Sequence, residues 1–81
     1  MSTHDEAEIL YRRRKYDLQM TQDEVAAEAG INKQQYQRYE KGITKISKAA
    51  METGLRICLA LELNPYEVVF EDWKDMVGKK G

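Results

Sequence analysis

The chain has few of the residues that staple, catalyse or span. A single cysteine, Cys58, rules out an internal disulfide and any two-cysteine metal clip. The single histidine, His4, lies in a polar lead-in, so Cys–His or Ser–His chemistry finds no partner in the body of the chain. No glycine-rich loop has the spacing that cradles phosphate, and the carboxylates are scattered rather than paired. No apolar run approaches the roughly 18 residues needed to cross a bilayer, and the N-terminus has no apolar signal core. Together these absences argue against an enzyme, a metal or cofactor protein, a secreted disulfide scaffold and a membrane protein. They favour a small cytoplasmic domain.

Excess charge is nearly absent too. The 81 residues carry a net charge of −1, which is low for a protein that binds nucleic acid. Its distribution is uneven, however. Positions 12–48 hold nine Lys/Arg against five Asp/Glu, a local balance of +4, and both flanks are acidic. A core drawn from 81 residues is marginal, so four or five packed helices, aided by self-association, are expected to stabilise it.

The most informative segment is 21–42. Thr21 followed by Glu24 is a capping box that starts a helix at Gln22. Val25, Ala26 and Ala29 give that helix a narrow apolar face, and Gly30 can end it in a left-handed conformation. Ile31 plugs the turn. Asn32 caps a second helix, with Gln35 placed to complete another box, and Gly42 ends it. On this second helix Tyr36, Tyr39 and Glu40 share one side. Lys33, Gln34, Gln37, Arg38 and Lys41 share the other, with no acidic residue among them. Gln can bond adenine bidentately, and Arg or Lys can bond guanine or phosphate. The bland alternative is a solvated helix face.

The order Thr21-Gln22-x-Glu24-Val25-Ala26, Gly30-Ile31-Asn32 and Tyr39-Glu40-Lys41-Gly42 resembles the phage Cro/lambda-repressor (XRE-type) helix-turn-helix family. The likeness continues through 51–61 and Asn64-Pro65-Tyr66-Glu67-Val68, covering about positions 7–70. It implies an all-α fold of five helices with a lambda-repressor-like helix-turn-helix formed by helices 2 and 3. Residues 1–6 form a disordered lead-in, 7–77 the DNA-binding domain and 78–81 a tail. The resemblance implies sequence-specific binding of double-stranded DNA by a prokaryotic or phage regulator, more often a repressor. Lys33, Gln34, Gln37 and Arg38 would contact bases. Gln22, Lys41, Thr44 and Lys45 would contact the backbone, with Gln22 matching a family glutamine that clamps phosphate. Lys15 stands where the family usually has an arginine, which implies a Lys15–Glu40 ion pair tying helix 1 to helix 3. For Arg14, snorkelling of the aliphatic stem is expected rather than true burial.

The rest of the chain gives looser expectations. Helix 1 should span about 7–17, with Ala7, Leu10, Tyr11 and Leu18 inward. Helix 4 should span about 48–61, with Met51, Leu55, Cys58 and Leu61 as its core stripe. Gly54 would allow a neighbour to come close, and Cys58 reads as a small buried hydrophobe. Asn64 to Glu67 looks like a third capping box with proline at the first helical position. The helix it opens extends to about Val77, or else 66–73 is a strand led by Val68-Val69-Phe70. Leu59, Phe70, Trp73 and Val77 then form an apolar face for a homodimer. Alternatively, this face grips a toxin, with the chain serving as the antitoxin of a toxin–antitoxin pair.

Overall fold

The computed structural model of the chain describes residues 5–73. Among them there are five α-helices and no strand. Helix α1 is Glu6–Arg12, capped by Asp5, whose carboxylate accepts the amide hydrogens of Ala7 and Glu8. Asp5 and Glu6 therefore belong to the first helix rather than to a frayed lead-in. The chain then winds through a π-helical stretch, Arg13–Asp17, closed by the Leu18 amide on the Arg13 carbonyl at 2.9 Å. A π-turn closes over five residues where an α-turn closes over four.

Helices α2 (Gln22–Ala29) and α3 (Lys33–Glu40) follow, and their boundaries obey the local chemistry. Thr21 and Glu24 form the reciprocal box, with bonds of 3.1 and 2.8 Å. Gly30 sits at φ 75°, where the chain must turn left-handed. A Cβ there would come within 3.0 Å of the Arg56 guanidinium, but that group is the end of a flexible side chain. Backbone strain therefore dominates, and Gly30→Ala should lower stability by about 1–2 kcal/mol in a urea melt. An unchanged melt would remove that account of the turn. Asn32 accepts the Gln35 amide at 2.7 Å, but no return bond from the Gln35 side chain completes the box among the described residues.

The connector after α3 includes a short 3-10 turn, Ile46–Lys48. Ile46 is buried, and a Cβ on Gly54 would meet its Cγ2 at 3.4 Å, so the close approach expected at Gly54 is to this turn. Helix α4 is Met51–Ala60 and α5 is Pro65–Val69. Leu10, Val25, Ala26, Ala29, Tyr36, Tyr39, Ile46, Ile57, Cys58, Ala60, Leu61 and Val68 make one core. Helix α2 packs on both α3 and α4, and α1 closes over α3. Cys58 is buried as expected. Burial, and secondarily the charge of Glu6, pushes its thiol up to about 11, which makes it an inert packing group.

Several expectations fail here. Ala49 and Ala50 are extended, so α4 starts three residues late. Gly54, Ile57, Cys58 and Leu61 face the core, leaving Met51 and Leu55 on the outside with Leu59. The contact of Gly54 with Ile46 fixes that rotation. Helix α5 stops at Val69, because Phe70 adopts an extended conformation at φ −114°, ψ 123°. Phe70 and Trp73 thus do not lie on one helix running to Val77, and Val77 is outside the described residues. The strand reading of 66–73 fails as well, for Tyr66–Val69 is helical. Asn64 caps that helix by accepting the Tyr66 amide at 2.9 Å, so the expected box with Glu67 is replaced by a shorter-range bond.

Candidate nucleic-acid interface

Glu40 is the structural centre of the α1–α2–α3 corner. Its side chain is 4% exposed, and four donated bonds converge on the carboxylate. Arg14 gives two, from Nε at 2.5 Å and Nη2 at 3.1 Å. The Tyr36 hydroxyl gives one at 2.5 Å and Gln22 Nε2 one at 3.0 Å. Burial alone would raise the Glu40 pKa. The bonds from Arg14, Tyr36 and Gln22 outweigh it, so the carboxyl lies below its ordinary value. Burial first, and then the neighbouring carboxylate, raises the Tyr36 pKa, so its hydroxyl stays protonated as a donor.

The ion pair expected of Lys15 is therefore made by Arg14. Lys15 is exposed and lies over the Tyr11 ring, 5.5 Å from its centroid. The π-helical stretch is the physical reason. It takes in one more residue before Leu18 docks, so the side chain facing Glu40 comes one position earlier. Arg14 is also 12% exposed with a bidentate partner, so it is held rather than snorkelling, and Nη1 donates to the Met20 carbonyl at 2.9 Å. Nothing in the charge pattern of Arg12-Arg13-Arg14-Lys15 singles out this residue. Arg13 also has a structural task, donating to the Leu61 and Glu62 carbonyls at 2.9 and 3.1 Å.

The polar network runs on toward the outside. Gln22 opens α2, and with its Nε2 fixed on Glu40, its Oε1 accepts Gln37 Nε2 at 3.0 Å. Gln37 is thus half-buried and oriented, with its own carbonyl oxygen and second amide hydrogen left for another partner. Lys33, Gln34 and Arg38 are exposed on the same helix. Gln34, Arg38 and Thr44 come together around one shallow depression, joined by Asn32, Gln35 and Tyr39. The Thr44 and Ile43 amides both bond to the Arg38 carbonyl, at 3.2 and 2.9 Å, which holds the start of the connector against the end of α3. Lys41, at the C-cap of α3, and Lys45 are exposed beside it. Lys33 stands apart, 3.7 Å from Asp23 at the start of α2. The sequence pattern of α3 alone missed this acidic neighbour.

Two short helices are thus locked at a fixed angle, with a row of exposed Lys, Gln and Arg on the second. The family model described as helix-turn-helix matches residues 10–67, most of the chain. The chain belongs to the helix-turn-helix family. Its type is that of the XRE, Cro/lambda-repressor-like regulators. As a helix-turn-helix protein it is a DNA-binding transcription regulator that takes double-stranded DNA. No curated protein and no solved structure matches the chain. Among the described residues no group of His, Cys, Asp and Glu could hold a metal, and no helix is long and apolar enough to cross a membrane.

Proposed function

We propose that the chain reads a specific duplex sequence by laying α3 in the major groove, acting as a repressor that binds as a homodimer. Lys33, Gln34, Gln37 and Arg38 contact base edges. Gln22, Lys41, Thr44 and Lys45 hold the flanking phosphates. The observation that carries this is the Glu40–Gln22–Gln37 relay, which fixes a base-reading amide from the protein's interior. An amide held on one hydrogen keeps the oxygen and the other hydrogen for the bidentate pair with adenine. Two copies related by a two-fold axis would place their α3 helices about 34 Å apart, so the operator is an inverted repeat.

Enrichment of bound duplexes from a randomised pool, followed by sequencing, tests this. The expected product is an inverted repeat with half-sites about 10 base pairs apart. Gln34→Ala and Arg38→Ala should each weaken binding to it by about 1–3 kcal/mol and relax one base preference per half-site. Recovery of no common sequence, or unchanged preferences in both variants, would sink the assignment. A second reading, an antitoxin gripping its toxin, draws on one observation. Tyr66 and Phe70 stack in the open, with centroids 6.4 Å apart. Co-purification of the neighbouring gene's product, lost in Phe70→Ser, would favour it.

A further inference from the structure

The outer face of α4 carries an apolar ridge that the core does not use. Met51 is 80% exposed, Leu55 47% and Leu59 79%, and they follow one another at i, i+4 and i+8. Such rows are the ridges by which helices interlock. Beside the ridge runs a second row, Glu52 and Arg56, bonded to each other at 2.7 Å. The five side chains line a single shallow depression. Neither Phe70 nor Trp73 contributes to it, so Leu59 belongs with Met51 and Leu55 rather than with a face of α5.

The geometry points to this ridge as the surface on which a second copy of the chain docks, α4 against α4 in antiparallel fashion. Charge complementarity selects that occupant. The flanking row has an acid at one end and a base at the other, so its charge pattern is reversed along the helix. A two-fold axis near Leu55 sets Met51 against Leu59 of the other copy and Leu55 against itself. The same axis brings Glu52 alongside the other copy's Arg56, twice over. A parallel two-fold pair would instead carry the two charged rows on opposite sides of the contact, where they could not meet. An apolar ridge with balanced flanks offers nothing to a phosphate backbone, and it has no net charge to match a strongly acidic or basic protein. Ridges of the i, i+4 kind interlock at a crossing angle of about 50°. Three side chains on a ten-residue helix make a small contact, so the pair should be weak and transient in the absence of DNA.

This inference rests on the proposal that the chain pairs, and the test separates the two. Sedimentation equilibrium of the full chain up to several hundred micromolar should show a reversible monomer–dimer exchange. Leu55→Glu should raise its dissociation constant about tenfold or more while leaving the thermal melt unchanged, because Leu55 is outside the core. Leu55→Cys should cross-link to itself under mild oxidation, since the native thiol of Cys58 is buried. The decisive arm is a mixture. Glu52→Arg and Arg56→Glu should each pair poorly with themselves, yet pair with one another when combined. Only an interface between copies produces that rescue, because each variant is without its own i, i+4 bond. A wild type that is monomeric throughout would overturn the pairing itself. A dimer that survives Leu55→Glu, with no heteropair in the mixture, would overturn this face and leave the pairing standing. DNA binding is read separately, by the sequence enriched from the pool.

Discussion

Glu40→Ala should remove about 3–5 kcal/mol of stability, a large share of what a domain this small possesses. The loss arises less from the missing attraction than from what is left behind. Arg14 would remain, 12% exposed, with its positive charge unpaired, and Tyr36 and Gln22 would each lose an acceptor. Urea unfolding measures it directly. Removing the charges together, as Arg14→Met/Glu40→Leu, should recover part of the loss, since apolar groups of similar volume carry no uncompensated charge. The same carboxylate sets an acid limit. Its folded pKa is depressed, so its stabilising contribution is complete above the ordinary value of 4.5. That contribution disappears as pH falls through the lower folded value. Wild type should therefore weaken progressively below about pH 4.5, and Glu40→Gln should flatten that limb. A Glu40→Ala variant within about 1 kcal/mol of wild type, with the same acid limb, would show that the network is incidental.

The second large effect concerns salt. With roughly 6–10 phosphates neutralised per complex, raising salt from about 50 to 200 mM should weaken specific binding by about 10³–10⁵-fold. The net charge of −1 does not contradict this, because the basic excess lies within 12–48, and Lys33, Arg38, Lys41 and Lys45 of that segment are exposed on and beside the proposed DNA face. The acidic N-terminal flank is not remote, for Glu6 accepts the Ser47 amide at 3.4 Å, so it offsets part of the connector's positive charge. Lys41→Gln and Lys45→Gln should each flatten the slope of log affinity against log salt by about one per bound copy, at little cost in base preference. Lys33→Gln should do less to the slope, since Asp23 already shares its charge at 3.7 Å. A slope indifferent to both Lys41 and Lys45 would remove them from the phosphate set.

What could be read from the sequence was whatever local chemistry decides. Thr21 and Glu24 satisfy each other within one turn, Gly30 takes a conformation other residues resist, and Val25, Ala26 and Ala29 need only helical periodicity to find the core. The tyrosines of α3 were legible for the same reason, although the bond from Tyr36 to Glu40 was not. What escaped was set by tertiary packing. Met51, Leu55, Cys58 and Leu61 make a plausible inward stripe on paper. The seat of Gly54 on Ile46 turns α4 so that the first two face out. The β-branched pair Val68-Val69 hinted at extended backbone, and the structure grants it one residue later, at Phe70. The Gln22–Gln37 bond links residues fifteen apart in the chain, beyond the reach of any periodicity.

The π-helical stretch Arg13–Asp17 also changes how this chain should be compared with its kin. The family resemblance assigns the arginine role to Lys15, whereas the folded chain gives it to Arg14. A wider turn inside a helix thus reassigns a buried ion pair without changing the residues that flank it, and a role transferred by position alone lands on the exposed neighbour.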